Sequence, residues 1–225
     1  MFFYSFCWWC WVGSFSVLVD RVERSGVFRW NRKPLKVKAL STLLYYSGLS
    51  YRVVARVLRG LARFSHESVR IWFRRLREAF PKPERKRRSL VAVDETKLKL
   101  CGEHFYVWAA IDTKTKEILA CRVSWTRNIM QAEAFLRKVL ETCTNRPLIL
   151  VDKGPWYPEA LRSLGLKWRH VTFGMRNRIE RWFGTLKART KRFYNNFPNN
   201  STIKSVKTYI ETFATWYNIL LKTKT

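Results

Sequence analysis

Two short apolar runs that each close on an aspartate constrain this chain more than any other feature. Val91-Ala92-Val93-Asp94 follows Ser89-Leu90 and leads into Glu95, and Leu148-Ile149-Leu150-Val151-Asp152 follows Pro147. Such a run reads as a buried strand, and the acid at its end as a residue emerging at the sheet edge. The chain has only four aspartates (Asp20, Asp94, Asp112, Asp152) and a formal net charge of +28. Two of the four at matching strand ends therefore read as two halves of one metal site.

The same charge bounds the partner. With 44 Lys and Arg against 16 Asp and Glu, the chain should bind polyanions in a salt-dependent way, which in a cell means nucleic acid first. At 225 residues and 47% hydrophobic content it is no disordered basic tail and can bury one large core or two small ones. Five cysteines, odd in number and scattered, read as reduced, cytoplasmic residues, and a cytoplasmic protein that binds DNA is expected to be nucleoid-associated. Cys7 and Cys10 have the spacing of half a zinc ribbon, but no second pair follows at a usable distance.

Residues 1–33 form an N-terminal tail whose stretch from Met1 to Val19 is almost uncharged and rich in aromatics, without the basic start or cleavage site of a secretory signal. We read it as the product of a start placed upstream of the natural one; a membrane-associating segment and a packed N-terminal element are the alternatives. No membrane partner is expected.

From 34 to 80 the period is helical. Val37, Leu40, Leu43 and Leu44 mark one helix, ended at Ser47-Gly48. Ser50 caps a second, with Val53, Val54, Val57 and Leu58 on its buried face and Gly60 at its end. A third starts near Ser65 with the stripe Val69, Trp72, Phe73, Leu76, Phe80. This is a helix-turn-helix pattern, and on its third helix His66, Glu67, Arg70, Arg74 and Arg77 face outward, where a major-groove reader carries its donors. A plain three-helix bundle with a solvated basic face is the alternative. Residues 81–88, with two prolines, five basic residues and no apolar side chain, read as a linker that also rides on phosphates.

Residues 89–200 read as α/β, a mixed sheet covered by helices. After the first acidic strand come a hairpin, Phe105 to Ile111 and Ile118 to Val123, and a helix capped by Asn128. The second acidic strand follows, then a short helix from Tyr157 closed by Gly165, a strand from Trp168, and a basic helix from Met175 to Phe193. Asp94 and Asp152 then lie on central strands and can be neighbours, and Glu180 on the basic helix can supply a third acid. Hard oxygen ligands suit magnesium. Around Glu180 stand Arg176, Arg178, Arg181, Lys187, Arg189, Lys191 and Arg192, with Lys187 two turns on along the same face. Local hydrogen bonding by either aspartate, or an ion-pair ladder at Glu180, is the structural alternative. Residues 201–225 read as a C-terminal helix with Ile203, Val206, Ile210, Phe213, Tyr217 and Leu220 on one side, either capping the sheet or pairing with another subunit.

From about Lys36 onward the chain resembles the DDE transposases of insertion-sequence family six, archaeal members in particular. The residues that carry the resemblance are the helix-turn-helix segment, Val91 to Thr96, Val151-Asp152-Lys153-Gly154-Pro155-Trp156-Tyr157, and Phe173 to Glu180 with Lys187 beyond. The resemblance implies an RNase H-like catalytic domain and Mg²⁺ or Mn²⁺, two ions, held by the catalytic acids Asp94, Asp152 and Glu180. It also implies strand transfer of transposon ends into target double-stranded DNA by a homo-oligomer. The interval from Asp152 to Glu180 is shorter than in bacterial members. A transposase-derived DNA-binding protein or repressor that no longer cuts is the second reading, and the intact acid triad favours the first.

Overall fold

The computed structural model describes residues 8–28, 32–80, 82–171, 174, 177–191, 196–197 and 201–222. The chain divides into two units, one made of residues 1–82 with 211–225, the other of residues 83–210.

In the first unit, helix α1 (Trp8–Ser25) is followed by α2 (Leu35–Tyr46), α3 (Tyr51–Val57) and α4 (His66–Leu76), with single 3-10 turns at Leu58–Gly60 and Arg77–Ala79. Ser50 and Ser65 cap α3 and α4, their side chains accepting from the backbone N–H of Val53 and Ser68. Val69, Trp72, Phe73 and Leu76 are buried as the stripe requires. Of the expected face only Val54 of α3 and Leu58 of the turn after it are buried, while Val53 and Val57 are 37% and 59% exposed. A helix of seven residues offers one i, i+4 seam to its neighbour, and the two other valines of the expected face fall outside it. Helix α1 packs on α2, and Leu18, Val19, Val22 and Phe28 are buried. The last helix, α8 (Ile203–Lys222), contributes Phe213, Ala214, Trp216 and Ile219 to the buried residues.

The second unit is a six-stranded mixed sheet with helices. Its strands are β1 (Leu90–Leu100), β2 (Glu103–Asp112), β3 (Ile118–Ser124), β4 (Leu148–Val151), β5 (Trp168–His170) and β6 (Asn196–Phe197). Its helices are α5 (Ile129–Leu140), α6 (Tyr157–Ser163) and α7 (Asn177–Thr190). The strand order is β3-β2-β1-β4-β5, with β6 paired to β1. The first three strands run antiparallel, and β4, β5 and β6 join in parallel. This is the α/β, RNase H-like arrangement, with β1 and β4 central.

β1 is longer than its apolar run. After Asp94 the alternation continues, Thr96, Leu98 and Leu100 buried between exposed Lys97 and Lys99, which is the pattern of a strand with one solvated face. It ends in a tight turn where Cys101 and Gly102 take positive φ (54° and 85°), the conformation that a two-residue hairpin loop demands. Asp94 therefore sits in the middle of β1, not at its end.

The basic segment before β1 is also not wholly a solvated linker. Arg88 is fully buried: its Nη1 donates to Asp112 Oδ2 at 2.8 Å, Nη2 to Glu84 O at 2.9 Å and Nε to Thr142 O at 3.2 Å. Glu117 completes the set at 3.4 Å. A guanidinium with its donors met in this way can be buried, whereas a lysine in its place could not match the planar fork.

Candidate metal centre

Parallel pairing of β1 with β4 aligns Val91 with Ile149 and Ala92 with Leu150. The ladder ends there, and carried two residues further the same register brings Asp152 level with Asp94. Adjacent strands lie about 4.8 Å apart, and residues two apart share a face, so both aspartates belong to the face of Ala92 and Leu150. Asp94 is buried, 6% exposed, and its Oδ1 accepts from the backbone N–H of Glu95 at 3.0 Å. Asp152 is half-buried, just past the end of β4. Its Oδ1 accepts from Gly154 N at 2.9 Å, and its backbone carbonyl accepts from His170 Nδ1 at 3.0 Å.

The opposite face of the sheet packs through Val91, Val93, Ile149 and Val151 on Phe135 and Leu136 of α5 and Ala160 and Leu161 of α6. Helix α7 also packs on β1 and β2, but its buried residues Ile179, Trp182, Phe183 and Leu186 take no part in that cluster. It therefore packs on the face of β1 and β2 to which Asp94 belongs. Glu180 lies in the first turn of α7 and is exposed, as are Gly184 and Lys187 one and two turns on. Among the described residues no three His, Cys, Asp or Glu side chains already converge as a metal-binding group. The structure thus brings two of the three expected acids together and puts the third on the helix that covers their face.

The strand alternation hides a third carboxylate. Glu95 points to the other face, the one packed on α5 and α6, where Tyr157 Oη donates to its Oε2 at 2.5 Å and Arg127 Nη1 to its Oε1 at 3.2 Å. Burial, then the nearby charges of Asp152 and Asp94, raise the Glu95 carboxyl above the ordinary carboxylate range, against the pull of the Tyr157 bond and of Arg127. Burial and then the charge of Glu95 hold the Tyr157 phenol well above its usual value, so it keeps its proton and donates. Sequence reasoning passed over Glu95 as the tail of an apolar run. An acid at a core-facing position of an alternating strand is itself a signal, because it needs a buried partner.

Closely placed carboxylates whose charges push a neighbour's pKa upward are a donor set that a hard divalent cation would relieve. Two aspartates on one face of the sheet offer the hard oxygen donors that magnesium or manganese takes, and by that chemistry the residues present would fit either ion.

The outward residues of α4 are placed unequally. His66 and Glu67 are exposed, and Arg70 and Arg74 are half-buried. Arg70 Nε donates to Glu67 at 2.7 Å. Arg77 is drawn to Glu211 of α8 at 2.7 Å, a contact within the first unit that takes it out of the expected open row. On and beyond α7, Arg178 is half-buried and Lys191 exposed, but Arg189 is buried, so that helix is not basic on its solvent side alone. Arg176 lies outside the described residues. Cys101, Cys121 and Cys143 are free thiols, while Cys7 is outside the described residues. No helix among the described residues is long and apolar enough to cross a membrane.

The family model for the DDE domain of the IS240 transposase type matches residues 88–223, and the chain belongs to that DDE-domain family. An uncharacterized protein of Methanocaldococcus jannaschii is 46% identical over 202 residues, 90% of this chain and 94% of its own length. One of Aquifex aeolicus is 48% identical over 59 residues, 26% of this chain and 49% of its own. Among solved structures, a simian T-cell lymphotropic virus intasome chain is similar at 13% identity and TM-score 0.47, over 77% of this chain and 66% of that one. The magnesium-bound catalytic core of HTLV-2 integrase is similar at 15% identity and TM-score 0.42, over 58% of this chain and 86% of that one.

Proposed function

We propose that this protein is a DNA transposase that binds the terminal repeats of an insertion sequence and catalyses metal-dependent end cleavage and strand transfer into target DNA. The observation that carries the reading is the β1–β4 register, which, carried two residues beyond its last pair, brings Asp152 level with Asp94 on one face of the sheet. Asp94, Asp152 and Glu180 would hold Mg²⁺ or Mn²⁺, which in phosphoryl transfer supplies activation of the attacking oxygen and stabilisation of the leaving one. For Glu180 this asks only that the exposed first turn of α7 meet the sheet's carboxylates when DNA and metal are bound.

The remaining residues hold DNA. Lys187, on the Glu180 side of α7, with Arg178, Lys191 and Arg176, would contact phosphates of the transposon end. His66, Arg70 and Arg74 on α4 would read or position the terminal repeat, and the Glu67–Arg70 pair would open to free the guanidinium for a base edge. Arg77, held by Glu211, would act with them only after leaving that contact. A homo-oligomer on double-stranded DNA fits the need to bring two ends together.

The test is strand transfer by the full chain on oligonucleotide ends with Mg²⁺, run beside a gel-shift titration. Asp94→Asn, Asp152→Asn and Glu180→Gln are expected to abolish transfer while binding the ends as the parent does. Lys187→Ala should weaken binding, with the defect shrinking at low salt. Transfer by Glu180→Gln at the parent rate would remove Glu180 from the site.

A further inference from the structure

Backbone pairing does not by itself fix where Asp152 sits. The last paired residues of β1 and β4 are Ala92 and Leu150, so on the β1 side the ladder stops two residues short of the acid. On the β5 side the Asp152 carbonyl is held by His170. What faces the turn 152–157 from β1 is Glu95, whose side chain is only 3% exposed.

Two arms run from Glu95 into that turn. Through Oε2 it accepts from the Tyr157 hydroxyl at 2.5 Å, and Tyr157 is fully buried. Through Oε1 it orients Arg127 at 3.2 Å, whose guanidinium lies 3.9 Å from the centroid of the Trp156 ring. The turn between these two aromatics and Asp152 has little slack. Tyr157 N donates to Gly154 O at 3.2 Å, and Gly154 N to Asp152 Oδ1 at 2.9 Å. A Cβ on Gly154 would stand 2.7 Å from the Trp156 ring and 3.0 Å from Asp152 Oδ1. A push on either aromatic is therefore passed to the Asp152 carboxylate through contacts that have no room to absorb it.

We propose that Glu95 is a positioning residue for the Asp94–Asp152 pair: through Tyr157, and through Arg127 stacked on Trp156, it clamps the turn 152–157 so that Asp152 stays in register with Asp94. The inference rests on the reading of those two aspartates as metal-holding. Consecutive residues of β1 thus serve the site from opposite faces, Asp94 with its own oxygens and Glu95 through the neighbouring turn. A carboxylate on this apolar face is costly to bury compared with a side chain of similar volume and no charge, and a site-directed role accounts for its presence there.

The experiment is a Mn²⁺ titration of the full chain without DNA, followed by calorimetry, with a thermal midpoint recorded for each variant. Tyr157→Phe removes one oxygen and keeps the packing. It should weaken Mn²⁺ binding roughly ten- to a hundredfold, the usual cost of losing a group that orients a ligand, with the midpoint still well above the titration temperature, so that the loss is read on folded protein. Glu95→Met should lose about as much. Glu95→Gln keeps an acceptor for the Tyr157 hydroxyl and should bind closer to the parent than Glu95→Met does. Loss of affinity only in step with a falling midpoint, or no loss in either Tyr157→Phe or Glu95→Met, would overturn the positioning role. Asp94→Asn separates the two levels: if it binds Mn²⁺ like the parent, the metal reading of the pair fails, whatever the Glu95 variants do.

Discussion

At one point on the β1–β2 pair, Asp112 and Glu117 meet the buried guanidinium of Arg88. Three residues along β1, roughly 10 Å away, Asp94 and Asp152 stand beside each other, with Glu95 on the reverse face. The two clusters have the same kind of side chain in the same sheet and opposite electrostatics. Burial alone would raise the Asp112 carboxyl, but the Arg88 bond and the backbone N–H groups of Thr115 and Lys114 outweigh it and leave it below its ordinary value. At Glu95, burial and the two aspartates win and the shift is upward. The first cluster is arranged to hold the fold at neutral pH. The second is left rich in negative charge, which is a cost to the fold alone and an asset to a site that takes a cation.

Breaking the structural cluster should have the largest effect. Arg88→Met strands two buried carboxylates and should destabilise the sheet by about 3–5 kcal/mol, read as faster amide hydrogen exchange along β1 and β2. A loss below about 1 kcal/mol would mean that the two clusters are not distinguished in the way described.

pH separates the clusters next, and the signs are opposite. Asp112 has a depressed folded-state pKa, so its contribution is present above the ordinary aspartate value and is lost as pH falls through the lowered one. Glu95 has a raised one, so the stability linked to it is present below the ordinary glutamate value and is lost as pH rises through the raised one. Denaturant midpoints against pH should therefore lose part of their acid limb in Asp112→Asn. In Glu95→Gln they should lose part of the decline on the higher side of the carboxylate range. The same change in both variants would refute the contrast.

The smallest expected effect is a gain. Asp94→Asn removes one charge from the crowded cluster and should raise stability by up to about 1 kcal/mol, roughly 2–4 °C in the midpoint for a domain of this size. A clear loss would indicate that Asp94 serves the fold as Asp112 does.

Much of this was legible in the chain because the signals were local. The apolar runs of β1 and β4, the Ser50, Ser65 and Asn128 caps and the stripe of α4 all depend on residues within a turn or two of each other. The run Lys97-Leu98-Lys99-Leu100 already has the alternation that extends β1, but the acid at Asp94 suggested a strand end. What could not be read were contacts made at long range. Arg88 lies in a run of basic residues that looks solvated, and its burial is decided by Asp112, Glu117 and Thr142. The clamp on the turn after Asp152 depends on Glu95, Arg127 and Tyr157, which are far apart in sequence. β6, two residues long, exists only because the end of β1 offers it an edge.

In this reading the β1–β4 register builds a cation site from Asp94 and Asp152. The most direct measurement is a crystal of the full chain soaked in Mn²⁺, with anomalous scattering recorded at the manganese edge. The predicted result is a peak bonded by oxygens of both carboxylates, at roughly the 2 Å expected for a small hard divalent ion, on the α7-covered face of the sheet. A fully soaked crystal with no peak between them, or with manganese bound only elsewhere, would contradict it.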